Sequence, residues 1–79
     1  MKILVKSNAE LGTLAAIEVS VVYFDAVLNT LGFVSINDGG IYVVPGISKE
    51  ETNKICEDIV KTGFYNLSNY GQYYPIDID

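Results

Sequence analysis

Twice in this chain a Ser-x-x-Glu tetrapeptide is followed downstream by a Gly-Phe pair. Ser7 and Glu10 precede Gly32-Phe33, and Ser48 and Glu51 precede Gly63-Phe64. In a capping box the serine hydroxyl accepts from the third helical amide while the glutamate reaches back to the cap, so each tetrapeptide marks a helix start. Glycine adopts the left-handed conformation that ends a helix, and the residue after it packs on the last turn. Two helices punctuated at both ends leave few arrangements open to a short chain.

The segments around them read as strands. Met1 to Lys6 alternates, with Ile3 and Val5 on one side and Leu4 on the other. Leu14, Ile17, Val21, Phe24, Leu28 and Leu31 then recur at spacings of three and four, one stripe of a first helix. Ile17 to Val21 also alternates strictly and is rich in β-branched residues, which suits a half-buried strand. The agreement of the two helix ends selects the helix. Phe33 to Ile36 and Ile41 to Val44 flank Asn37-Asp38-Gly39-Gly40, a hairpin signal because Asp-Gly tolerates the positive φ of a tight turn. The second helix runs to Thr62, with Ile55, Cys56, Ile59 and Val60 as its buried stripe. Glu50 with Lys54 and Glu57 with Lys61 form supporting pairs on its surface. A last strand falls at Phe64 to Leu67 or at Gln72 to Ile76, where Pro75 favours a sheet edge.

The resulting order is βαββαβ. It predicts an α+β, ferredoxin-like two-layer sandwich with two helices on one face of a four-stranded antiparallel sheet. Residues 1–79 form a single domain, and 65–79, with four of the six tyrosines, is a Tyr-rich C-terminal strand or tail. No run of about 18 apolar residues spans a bilayer and no signal peptide is evident, so a cytoplasmic protein that binds no membrane is expected.

Composition narrows the chemistry. The chain has ten acids, five lysines and no histidine, so the usual neutral-pH base is missing and no metal or cofactor site is expected. It has no arginine to clamp a phosphate or carboxylate bidentately either. Cys56, the single cysteine, lies on the apolar stripe of the second helix with no base near it in sequence. No catalytic residue emerges, and the chain reads as a non-enzyme. A net charge of −5 opposes nucleic acid.

From Ser7 to Ser48 there are four acids and no base, which favours encounter with a positively charged surface. On a helix Glu18 and Asp25 share one face, extended by Asn29. Val19, Val22, Tyr23, Ala26 and Val27 would leave further flanks of that helix apolar, a surplus that suits a second protein or a homodimer through the first helix. The expected function is therefore that of a small acidic protein-binding module, an inhibitor or adaptor that occupies a basic surface of another protein. Its expected contacts are Glu10, Glu18, Tyr23, Asp25, Tyr70, Tyr73 and Tyr74.

Gly12-Thr13-Leu14-Ala15-Ala16-Ile17, after a first strand, resembles the Gly-x-Leu-Ala-x-Ile stretch of the ACT family of small-molecule regulatory domains. That resemblance implies the βαββαβ order and a ligand such as an amino acid bound near Asn8 and Gly12 across a dimer. It is the alternative reading.

Overall fold

The computed structural model describes residues 1–7 and 12–76. Strand β1 is Lys2–Lys6, β2 Leu14–Asp25, β3 Thr30–Ser35, β4 Ile41–Val44, β5 Phe64–Asn66 and β6 Tyr74–Pro75. The helix α1 is Lys49–Thr62, and a short 3-10 turn covers Ser68–Tyr70. The strands form one mixed six-stranded sheet in the order β5-β1-β2-β3-β4-β6. Only the β1–β5 pair is parallel among the named strands. Gln72, just before β6, makes an isolated parallel bridge to Lys6 at the end of β1, so the β4–β6 end of the sheet curls back toward β1.

This overturns the ferredoxin-like sandwich: the described residues hold one helix, and the expected first helix is a strand, a turn and the start of another strand. Period two prevails over the three-four spacing because β2 is pinned on both sides. Its first half pairs with β1, from Ile17 opposite Ile3 to Leu14 opposite Lys6. Its second half pairs with β3, from Val21 opposite Val34 to Asp25 opposite Thr30. A β-bulge between Val19 and Val21 joins the halves. Because a bulge inserts one extra residue, Val19 and Val22 both point inward, three apart. That step imitates a helical spacing. The capping box of the first half extends into residues outside those described, and a homodimer through a first helix loses its helix.

Gly32 is likewise no helix stop, since it sits inside β3. A Cβ there would lie 2.7 Å from Cζ of Tyr23, its cross-strand neighbour, so glycine is what lets the tyrosine ring lie flat on the sheet.

The second half follows expectation. Ser48 accepts from Glu51 N at 3.2 Å, and Gly63 at φ 76° donates from its amide to Ile59 O at 2.8 Å. A helix opening on two glutamates and closing on Lys61 also matches its own dipole. Thr52, Ile55 and Ile59 face the core, whereas Val60, expected there, is 75% exposed. The hairpin around Asp38-Gly39 joins β3 to β4, with Asp38 Oδ1 accepting from Gly40 N at 2.8 Å. Both candidate last strands exist, one at each end of the sheet, and Pro75 lies in an end strand.

The core fills the space between the inner face of the sheet and α1. Ile3, Val5, Leu31, Phe33, Val44, Ile47, Ile55, Ile59 and Leu67 are all buried. Thr30, also buried, donates from Oγ1 to Val44 O at 2.5 Å and accepts from Ile47 N at 3.2 Å, so the chain leaving β4 is tied back to β3. Phe33 stacks on Tyr42 at 5.5 Å between centroids, and Tyr73 packs against both rings. Phe33→Ala is expected to lower unfolding free energy by about 3–5 kcal/mol in a urea titration, because it removes a fully buried ring from this cluster.

Candidate binding surface

Strand alternation gives the sheet a second, outer face, away from the core. Cross-strand register lays Tyr23, Gly32, Val43 and Tyr74 in one row across β2, β3, β4 and β6. A second row holds Val21, Val34 and Ile41. Val21 is 43% exposed and Tyr74 48%, whereas Gly32 and Val43 in the middle of the first row are buried. Neighbouring side chains of such rows touch, so the two rows form one apolar and aromatic strip. Burial raises the Tyr23 phenol above its ordinary range, and the charge of Asp25 adds to that.

Two acids expected as contacts flank this strip. Glu18 stands on the outer face opposite Lys2, with Nζ and Oε1 3.4 Å apart and both side chains about half exposed. Such an exposed pair contributes about 0–1 kcal/mol and leaves the carboxylate reachable. Asp25 closes the far end of β2. Its Oδ1 accepts from Val27 N at 2.9 Å and Leu28 N at 3.0 Å, so it also shapes the following turn. Glu18 and Asp25 share a face, as expected of a helix, because the bulge corrects the phase between them.

The structure thus brings together Glu18, Tyr23, Asp25 and Tyr74 and separates two other expected contacts from them. Tyr73 turns inward onto Phe33 and Tyr42. Tyr70 ends the 3-10 turn and packs against the core, and its hydroxyl bonds to the Glu51 carboxylate, which raises its pKa with burial assisting. Glu10 lies outside the described residues. The sequence reading missed Val34 and Ile41, assigned only to a hairpin, and placed Val21 in a core stripe. The signal for Val21 was the alternation from Ile17 continued with one residue skipped, and that for Val34 was the alternation within its own hairpin strand, which sets it on the side opposite Phe33, with Ile41 its cross-strand partner.

A cavity of about 540 Å³ opens where β1 and β2 approach Gly71 and Gln72, with Lys6, Gly12, Thr13 and Leu14 among its walls. Gly12 is where the ACT resemblance places a ligand, and Asn8 lies outside the described residues. The element order which that resemblance requires is absent, since β2 occupies the place of its first helix. Among the described residues no group of three His, Cys, Asp or Glu side chains could hold a metal ion. No helix among them is long and apolar enough to cross a membrane. The chain matches no protein-family model, no curated protein and no solved structure.

Cys56 donates from Sγ to Val22 O at 3.2 Å, and burial pushes its thiol pKa up. Nucleophilicity belongs to the thiolate, so the sulfur ties the helix to β2 and is poorly activated for chemistry. Iodoacetamide at neutral pH is expected to alkylate Cys56 more slowly than it alkylates free cysteine, by about tenfold or more, as read by mass spectrometry.

Asp38 and Tyr42 form the other polar contact of note, the phenol donating to Oδ2. That hydrogen bond, followed by the Gly40 amide, holds the Asp38 carboxyl below its ordinary range, and the same bond raises Tyr42. Stability from Asp38 is present above the ordinary carboxylate range and lost as pH falls through its lowered value. Stability from Tyr42 is present below the ordinary phenol range and lost as pH rises through its raised value. Urea midpoints measured against pH should therefore fall at both extremes, and Tyr42→Phe should flatten both limbs.

Proposed function

We propose that this chain is a non-enzymatic protein-binding module whose contact surface is the outer face of β2, β3, β4 and β6, and that its partner is a protein with a basic surface. The observation that carries this reading is the outer-face side chains that reach the surface, Tyr23 and Tyr74 at the two ends of one row, with Gly32 and Val43 buried between them, and Val21, Val34 and Ile41 in the other. The helix covers the inner face of the sheet, where the buried core lies, and among the described residues no second layer covers this one. Apolar side chains grouped on an exposed face mark interaction sites, and tyrosine contributes large contact area at small entropic cost.

Charge supports the basic partner. From β2 through β4 the chain carries Glu18, Asp25 and Asp38 and no base. Complementary potential accelerates encounter, and added salt screens it. Action as an inhibitor or adaptor belongs to this same reading, in a cytoplasmic setting.

The test is affinity isolation on the immobilised chain, with recovered proteins compared between the parent, Val21→Asp and Tyr74→Ser. Both positions are well exposed, so circular dichroism should show an unchanged fold. Each substitution is expected to weaken binding by about tenfold or more, and raising ionic strength should weaken it further. Retention of the same proteins by both variants, with no dependence on salt, would overturn the proposal.

A further inference from the structure

The hairpin that links β2 to β3 ends in Ala26, Val27, Leu28 and Asn29. Val27 is 92% exposed, the highest value among the exposed large apolar side chains described, and Leu28 is 50% exposed. Neither belongs to the buried core or to the partly buried apolar side chains that pack on it. The backbone is shaped by the two hydrogen bonds to Asp25 Oδ1 and by Asn29, which takes the left-handed conformation at φ 59°. Asn and Asp are the residues that make such turns through their own side-chain and backbone geometry. Two aliphatic side chains are nonetheless held out on a tip whose backbone is fixed by these bonds, just beyond Asp25 at the end of β2.

Resting on the protein-binding reading above, we infer that this tip is an apolar plug, with Val27 and Leu28 entering an aliphatic pocket on the partner protein. A carboxylate at the root of the tip, on a hairpin without a single lysine or arginine, fits a pocket with a basic rim. The same charge disfavours an anionic lipid surface, which attracts basic segments. Interfaces draw most of their energy from a few anchors seated in desolvated pockets, and a two-residue tip is of that size.

The experiment places p-benzoylphenylalanine at position 27 of the full chain, irradiates it in cells of its source, and identifies the crosslinked protein. That protein is then purified and titrated calorimetrically with the parent, Val27→Asp, Leu28→Asp, Val21→Asp, Tyr74→Ser and, as control, Val60→Asp, which alters an exposed aliphatic residue on α1. The expected result is a partner whose affinity falls at least about tenfold with either tip variant and is unchanged by Val60→Asp. Co-sedimentation with phosphatidylcholine vesicles, with or without phosphatidylglycerol, is expected to be absent. The inference is overturned by failure to crosslink any protein, by equal affinity of tip variants and parent, or by vesicle binding that the tip variants abolish. If Val21→Asp and Tyr74→Ser weaken binding while both tip variants do not, the sheet-face proposal stands and the plug falls. If all four leave affinity unchanged, both fall.

Discussion

Strand β2 is the constraint on which the rest of the molecule depends. It is 12 residues long, and neither neighbour follows it throughout: β1 takes the first half and β3 the second. A flat strand would carry both in one plane. The bulge turns the second half relative to the first, so that Val19 and Val22 meet the same core although three residues separate them. The helix completes the joint from the inner side, where Cys56 bonds the Val22 carbonyl and Ile55 and Ile59 fill the interior. With that bend in place, β4 and β6 come round toward β1 and the core closes.

The same bend explains which parts of the fold are legible in the residue pattern. Helix α1 is legible at both ends because its signals are local: a serine, a glutamate three residues on, and a glycine in the left-handed conformation. The Asp38-Gly39 hairpin is legible for the same reason. The segment from residue 14 to residue 31 is not, since its conformation is set by partners distant in sequence. Tertiary pairing there outweighs a spacing of three and four that the bulge itself helps to create. Gly32 misleads in a related way. A glycine after a leucine and before a phenylalanine looks like a helix stop, yet its smallness serves a ring contributed by another strand.

Of the proposed contact surface, the legible part is the chemistry of the residues, and the hidden part is their side. Tyr73 and Tyr74 are adjacent and equivalent by composition. In the fold, Tyr73 joins Phe33 and Tyr42 inside while Tyr74 lies outside beside Val43. The alternation that separates them is elementary, but it becomes usable only once β4 supplies a register. Glu18 and Asp25 fall on one face for a reason unlike the one that first paired them.

The way the sheet ends has a consequence for behaviour at high concentration. Strands with free backbone edges recruit strands from other molecules, and an apolar chain of this size is exposed to that hazard. Here β5 has three residues and β6 two, Pro75 offers no amide, and the Gln72 bridge occupies the edge of β1 just beyond β5. At its two terminal strands the sheet therefore offers very little backbone for another chain to pair with.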